Sequence, residues 1–240
     1  MPAAIQIADW IVRVRHDEMD APVDAMSLEK LVYYAQCFHL ALTGQELFPD
    51  EVRAWKLGPV IPSIYNIYRE HGAHPIIPTP GDTLRLDARI EDFLFELLAC
   101  FGRYNAIQLS DATHAEGPWL SARRGYGRHD NSNVLIPVNE MRRYYCTLIS
   151  EGEEALSRHE LLDVVSEPRW AGLYVAGICF QRIFNHPFYR PALAKKLSQP
   201  VPELEELPSD FYSPVKSRSL IEFREGDDVD EIMKRTIASN

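Results

Sequence analysis

The sequence lacks the short motifs that most directly indicate a chemistry. It contains no CxxC pair, no HExxH pair and no GxSxG elbow, so the common signatures of zinc sites, zinc proteases and serine hydrolases are missing. The four cysteines, Cys37, Cys100, Cys146 and Cys179, are far apart along the chain, and three of them lie in apolar runs. We therefore interpret them as reduced thiols of a cytoplasmic protein rather than as a disulfide framework.

The sequence also has no segment typical of export or membrane insertion. No basic stretch precedes an apolar run after Met1, so we expect no signal peptide. The longest apolar run, residues 170–180, is shorter than the roughly 20 residues that a bilayer-spanning helix needs. The net charge is 25 − 35 = −10, which disfavours nucleic acid or an anionic membrane as a partner of the whole surface. We expect a cytoplasmic protein.

The chain does have enough apolar residues for a core, since 46% of it is hydrophobic and 10% aromatic. Apolar residues recur at three- and four-residue steps between Asp24, a candidate N-cap, and Gly44, a candidate helix stop. Asp87 begins another strongly apolar helix. Further helices are expected at residues 4–15, 63–71, 105–113 and 137–149. We predict a mainly α fold with at most a small two-stranded β element, formed by residues 51–56 and 134–136.

The pattern divides the chain into four parts. Residues 1–22 form an N-terminal helix, and residues 23–150 form the main domain. Residues 151–199 are predicted to be a helical extension. Residues 200–240 are rich in proline and acidic side chains and have few apolar anchors, so we expect a loosely docked tail.

Tyrosines and one tryptophan segment are the first candidates for a binding site. The pairs Tyr33-Tyr34 and Tyr65/Tyr68 suit an interaction surface, because a tyrosine can bury its ring and present its hydroxyl to a partner. The alternative is that all four pack in the core. Residues 55–59, Trp-Lys-Leu-Gly-Pro, form either an anchor loop for a protein partner or a strand-to-helix corner with a buried tryptophan.

A second group of residues resembles parts of an enzyme. Asp111 and His114 are three apart on a predicted helix, so a carboxylate there would be able to orient the imidazole. A hydrolase also needs a nucleophile on a strained turn and an oxyanion hole, and the sequence shows neither. The structural alternative is that Thr113, His114 and Glu116 close the helix and fix Trp119 below it.

Metal and nucleotide sites have weaker support. His71 and His74 form one pair without a second pair, and we therefore expect no metal. Arginines surround glycines at residues 123–128 and precede two tyrosines at residues 142–145, a combination that can hold phosphate or stack on bases. The glycine pattern of a dinucleotide site is incomplete. Ion pairs, or contacts with an acidic patch of a protein partner, are the alternatives, and we expect no cofactor.

Three blocks in a fixed order carry a resemblance to a known family. They are KLVYYAQ at residues 30–36, AWKLGPVIPSIY at residues 54–65 and LSDATHAEGPW at residues 109–119. Together they resemble the Panacea domain, a phage-associated family that recurs as the antitoxin half of toxin–antitoxin pairs. The resemblance covers about residues 23–150. It implies a helical protein-binding module, not an enzyme, that neutralises a cognate protein toxin by direct binding.

The resemblance also indicates partners and contact residues. The expected toxin is encoded next to this chain, and some relatives deliver their toxin to a protease, so a proteolytic adaptor is one alternative. A phage-derived hydrolase or nucleotide-binding enzyme is the other. Within the recognised blocks and the adjoining helix, the side chains able to present polar tips are the expected partner-binding residues: Tyr33, Trp55, Lys56, Tyr65, Tyr68, Arg69, His114 and Trp119. The acidic residues between 203 and 231 are expected to help cover a basic site on the toxin.

Overall fold

A computed structural model describes residues 1–79, 85–102, 104–127 and 129–146. The expected helical extension and acidic tail, residues 151–240, lie outside the described residues. In chain order the elements are α1 (Ala4–Arg13), α2 (Ala25–Thr43), β1 (Arg53–Trp55), β2 (Gly58–Val60), α3 (Pro62–Tyr68), α4 (Ala88–Phe101), α5 (Ala106–His114), α6 (Gly117–Ala122), β3 (Val134–Leu135) and α7 (residues 138–146). A π-helical turn, Val14–Glu18, extends α1, and a 3-10 turn, Arg69–His71, extends α3.

The helix ends follow the local sequence. The Asp24 carboxylate accepts a hydrogen bond of 2.8 Å from the Ser27 amide and caps α2. Gly44 ends the same helix in the left-handed conformation, at φ 78°. Asn105 and Gln108 form a capping box at the start of α5. These short-range signals confirm the predicted limits of α2 and the start of α5.

The sheet is small and antiparallel, with strand order β2-β1-β3. The predicted pairing of residues 51–56 with residues 134–136 is confirmed, because Ala54 lies opposite Val134. The prediction of at most two strands is wrong, since β2 pairs with β1 as a third strand. Gly58 has φ 106°, which permits a tight return of the chain. Pro59 is tolerated because β2 is an edge strand, where a missing N–H costs no ladder hydrogen bond.

Helix α2 runs through the centre of the molecule and contacts α1, α3, α4, α5 and β2. Every residue from 27 to 38 is buried, so this helix has no solvent-facing side there. Its polar side chains therefore need partners inside the protein. Gln36 has them: its carbonyl accepts from the Leu47 and Phe48 amides at 2.8 and 3.2 Å, and its amide donates to the Phe48 carbonyl at 3.0 Å.

The described part of the chain is mainly helical, as predicted. Within it, no helix combines the length and the apolar character needed to cross a membrane. The three-stranded sheet lies beside α2, α5 and α6, and this arrangement positions the site described next.

Candidate functional site

Side chains from three helices hold the backbone of the β1–β2 hairpin. Each donates a hydrogen bond to a main-chain carbonyl of residues 54–59. The contacts are Lys30 Nζ to Pro59 O (3.0 Å), Ser110 Oγ to Leu57 O (3.1 Å), Trp119 Nε1 to Trp55 O (2.8 Å) and a guanidinium nitrogen of Arg123 to Ala54 O (3.3 Å). The hairpin is thereby fixed against α2, α5 and α6.

Gly58 allows the hairpin to approach α2 and α5 closely. A Cβ atom at this position would lie 2.8 Å from Lys30 Cε and 2.8 Å from Thr113 Oγ1, closer than Cβ atoms in proteins approach other heavy atoms. The positive φ of Gly58 adds a second reason for glycine. The hairpin tip and the Lys30 side chain therefore form one packed unit.

An open cleft of about 710 Å³ lies between the first turns of α2, the hairpin, α3 and the segment before β3. One wall is aromatic: the rings of Trp55 and Tyr65 meet edge to face, with centroids 4.7 Å apart. The Trp55 indole N–H donates to Asn133 Oδ1 at 2.9 Å, which fixes the ring's orientation. Lys56 and Arg69 also line the cleft, and they bring positive charge to it.

The floor of the cleft contains two adjacent charged residues of α2, Glu29 and Lys30. Glu29 Oε2 accepts from the Ile61 amide at 2.9 Å, whereas Glu29 Oε1 is buried without a hydrogen-bond partner among the described residues. Burial raises the pKa of Glu29 to about 7, opposed by the Ile61 amide and by Lys30. Burial lowers the pKa of Lys30 to about 8, opposed by Glu29 and Asp24. The two pKa shifts have opposite directions, and burial is the main cause of both.

A second buried polar cluster joins α2 to the start of α6 and to α7. Glu116 Oε1 accepts from the Tyr34 hydroxyl at 3.0 Å, and Glu116 Oε2 accepts from the Tyr145 hydroxyl at 2.6 Å. Burial raises the pKa of Glu116 to about 7, although the tyrosine hydroxyls favour the ionised form. Tyr33 packs edge-on against Tyr145 in the same cluster. The cluster is closed to solvent and serves to tie helices together.

Five of the eight residues expected to bind a partner line the cleft: Trp55, Lys56, Tyr65, Tyr68 and Arg69. Sequence order alone did not show that they meet, because they come from β1, the turn after it, α3 and the turn that follows α3. Tyr68 is mostly buried, and its hydroxyl donates to the Asp9 carboxylate on α1. The other four present at least part of their side chains to solvent.

The remaining three expected contact residues lie elsewhere. Tyr33 is 0% exposed and Trp119 is 5% exposed, because both pack in the core. Neither presents a surface in this structure, and Trp119 acts through its bond to the hairpin. His114 is partly exposed, and its ring lies 4.3 Å from the Trp119 ring. His114 does not line the cleft.

The residues that resembled enzyme parts do not assemble in the cleft. Asp111 is exposed, and neither Asp111 nor His114 is among the residues that line it. Thr113 is buried and donates to the Ser110 carbonyl at 2.7 Å. With Glu116 in the tyrosine cluster and His114 against Trp119, these side chains support the structural interpretation of the block.

The histidine and arginine candidates also have structural surroundings. Across the described ranges, no group of three or more His, Cys, Asp or Glu side chains is arranged to hold a metal ion. Arg123 is buried, donates to the Gly127 and Asp130 carbonyls and lies 4.9 Å from the centre of the Trp119 ring. Arg143 pairs with Glu140 on the surface. Arg123 therefore shapes the loop before β3 and does not present its charge to a ligand.

Sequence reasoning did not single out Glu29 and Lys30 as site residues. A signal for them existed: Glu29 and Lys30 are the two residues of α2 that are Asp, Glu, Lys or Arg, in a helix that is otherwise mostly apolar. Buried charged side chains need hydrogen-bond partners. Lys30 has the Pro59 carbonyl, Glu29 has the Ile61 amide, and both residues line the cleft.

Comparison with known proteins finds similarity over part of the chain. Residues 28–120 match the family model described as "Antitoxin SocA-like, Panacea domain". The protein named Antitoxin SocA from Caulobacter vibrioides (strain NA1000 / CB15N) is 29% identical over 126 residues, which cover 45% of this chain and 64% of the relative. The chain thus spans slightly less than two thirds of that relative's length. No solved structure matches the chain. The segment that matches the Panacea-domain model, residues 28–120, contains the cleft floor and the hairpin, and it lies within the residues that carry the resemblance in the sequence.

Proposed function

We propose that this chain is a cytoplasmic antitoxin that neutralises a cognate protein toxin by direct binding, without enzymatic activity of its own. The observation that carries the proposal is the match of residues 28–120 to the Panacea domain, together with the printed name of the relative, which is an antitoxin. The geometry supports the proposal, because the matched segment contains a rigid hairpin beside a short helix, and such a surface suits the binding of a protein.

The proposed contact surface is the hairpin–α3 face, which we define as Trp55, Lys56, Tyr65, Ile67 and Arg69. Four of these residues line the cleft, and Ile67 on α3 is an exposed large apolar side chain with 55% exposure. Tryptophan, tyrosine and arginine dominate the binding energy of many protein interfaces. The helix side chains that fix the hairpin leave little flexibility to lose when a partner binds, and this favours affinity.

Co-expression of the full chain with the product of the neighbouring gene tests the function. Rescue of growth together with a stable co-purified complex is the expected result. Rescue accompanied by loss of the neighbour's protein supports the alternative of a proteolytic adaptor and contradicts neutralisation by binding alone. A neighbour that is not toxic and forms no complex would remove the support for an antitoxin role.

A charge reversal tests the surface itself. Arg69 is exposed and its ion pair with Glu70, at 3.5 Å, is also exposed, so Arg69→Glu will change folding stability little. We expect this variant to weaken binding of the neighbour's protein about tenfold, because the charge that faces the partner is inverted. The matched control is Arg124→Glu, since Arg124 is exposed and does not line the cleft. Equal affinity losses for the two variants, measured by surface plasmon resonance, would exclude the hairpin–α3 face.

A further inference from the structure

One residue, Ile61, joins strand β2 to helix α3. Two consecutive residues of α2 bind the main chain at this joint, and both contacts are buried. Lys30 Nζ donates to the Pro59 carbonyl at 3.0 Å. Glu29 Oε2 accepts from the Ile61 amide at 2.9 Å. Because the two side chains start from adjacent positions of one helix, they hold the end of β2 and the start of α3 in fixed positions relative to each other.

The hairpin side of the joint packs tightly against Lys30. A Cβ atom at Gly58 would lie 2.8 Å from Lys30 Cε and 3.1 Å from Lys30 Nζ, so the lysine fills the space beside the hairpin turn. Ser110 on α5 donates to the Leu57 carbonyl at 3.1 Å. Lys30, Gly58 and Ser110 belong to the three sequence blocks at residues 30–36, 54–65 and 109–119, which therefore meet at this joint. A side chain that is both close-packed and hydrogen-bonded keeps one position and is able to fix its neighbours.

The hairpin–α3 face extends across the joint. The hairpin carries two of its five residues, and α3 with the turn after it carries the other three. Trp55 and Tyr65 pack edge to face from the two sides, with ring centroids 4.7 Å apart. Glu29 and Lys30 themselves are only 4% and 1% exposed, so a bound protein does not reach them. Any effect of these two residues on binding must therefore act through the position of the face.

We infer that Glu29 and Lys30 are positioning residues of the hairpin–α3 face. They set the position of α3 relative to the hairpin and thereby the affinity of the face for its partner, and this second step rests on the proposed function. Removing either contact leaves a buried main-chain group without its partner, so the joint gains other arrangements that satisfy this group. Only molecules in the original arrangement bind well, and the apparent affinity falls in proportion to their fraction.

Two methionine variants at matched positions of α2 test the effect on affinity. Lys30→Met keeps a long buried side chain and removes the bond to the Pro59 carbonyl. Gln36→Met is the control, because Gln36 is equally buried on the same helix but binds the main chain of Leu47 and Phe48, outside the face. In surface plasmon resonance, Lys30→Met is expected to bind the product of the neighbouring gene about tenfold more weakly, through slower association, and Gln36→Met less than about twofold more weakly. Equal losses would mean general destabilisation and would overturn the inference.

A second pair of variants tests the other contact and does not depend on the folding of Lys30→Met. Glu29→Gln keeps an oxygen that accepts from the Ile61 amide, so its affinity is expected to stay close to that of the original chain. Glu29→Ala removes the acceptor and is expected to weaken binding about tenfold, again through slower association. Full affinity in Glu29→Ala, or the same loss in both variants, would contradict a positioning role of this hydrogen bond.

A measurement on the free full chain separates this inference from the proposed function. The Trp55 indole N–H gives one signal in a proton–nitrogen correlation spectrum, assigned with Trp55→Phe, and its position depends on the nearby Tyr65 ring. The signal is expected to move in Lys30→Met and in Glu29→Ala and to stay in place in Gln36→Met. If the neighbour's product does not bind, the proposed function fails, and this signal still decides whether the two residues position the face. An unmoved signal in both cleft-floor variants would overturn the inference whatever the binding result.

Discussion

Two buried glutamates, Glu29 and Glu116, differ in the number of hydrogen bonds that the protein makes to their carboxyl oxygens. Burial raises the pKa of each carboxyl group to about 7. Both oxygens of Glu116 accept hydrogen bonds, from Tyr34 and Tyr145, whereas Glu29 has a partner on one oxygen only, the Ile61 amide. The satisfied carboxyl lies in a closed cluster, and the half-satisfied one lies at the floor of an open cleft.

The difference separates a carboxyl group that is fully paired from one that is only half paired. A buried carboxyl group with both oxygens paired fixes one arrangement of the elements that supply its partners, here α2, α6 and α7. A buried acceptor left unpaired costs stability and fixes nothing. Similar pKa values alone do not distinguish the two roles, but the hydrogen bonds do.

The largest expected effect compares alanine at the two glutamates. At pH 6, where both carboxyl groups are mostly protonated, Glu116→Ala is expected to lower the free energy of unfolding by roughly 3–4 kcal/mol. The variant leaves the Tyr34 and Tyr145 hydroxyls buried without an acceptor and opens a cavity between helices. Glu29→Ala is expected to cost about 1–2 kcal/mol, because it removes one bond, to the Ile61 amide, beside a cleft that admits water.

Urea denaturation of the three proteins at pH 6 measures both losses. If Glu29→Ala were as destabilising as Glu116→Ala, the two carboxyl groups would be equivalent structural groups.

The ends of α2 were predictable because their causes are local. Asp24 and Gly44 act on groups within a few residues, and such signals are visible in a single sequence. Strand β2 was missed because Gly58-Pro59 reads as a simple turn until β1 is known to lie beside it. A proline in a strand is acceptable only at a sheet edge, and sequence alone does not show which strand is the edge.

The site was only half predictable for a related reason. Tyr33 and Tyr65 are the same residue type in recognised blocks, yet one packs in the core and the other lines the cleft. Elements that are distant in sequence decide which of the two tyrosines is buried in the core and which lines the cleft. The same holds for Glu29, whose hydrogen-bond partner Ile61 is 32 positions away. Composition identifies residues able to form a site, and tertiary contacts decide which of them do.

The next prediction concerns stability at the cleft floor, where the hairpin contacts Lys30. Gly58→Ala is expected to lower the free energy of unfolding by roughly 2–3 kcal/mol, since the new Cβ would press on Lys30 Cε and Thr113 Oγ1 at a positive φ. The matched control is Gly125→Ala, which also has a positive φ but has nothing within 4 Å of the new Cβ. It is expected to cost about 1 kcal/mol from backbone strain alone.

Thermal and urea unfolding of both glycine variants separate strain from crowding. A difference near zero would mean that Lys30 moves aside freely, and the hairpin and the cleft floor would not form one packed unit.

The smallest expected effect is the pH dependence of the free energy of unfolding, to which the two glutamates contribute equally. Each carboxyl has a folded-state pKa raised from about 4.5 to about 7, so between these values the folded protein binds more protons than the unfolded chain. The free energy of unfolding is therefore expected to fall as pH rises from 5.5 to 6.5, with about 1 kcal/mol per pH unit from each carboxyl. Lys30 acts in the opposite sense above pH 8, because its folded-state pKa is lowered and the unfolded chain binds the extra proton there. The free energy of unfolding should pass through a minimum near pH 7–8.

Glu116→Gln and Glu29→Gln should each remove one carboxyl group's share of the slope, and urea denaturation at half-unit pH steps would show this. A slope that neither variant changes would mean that the two buried carboxyl groups are not the groups that titrate.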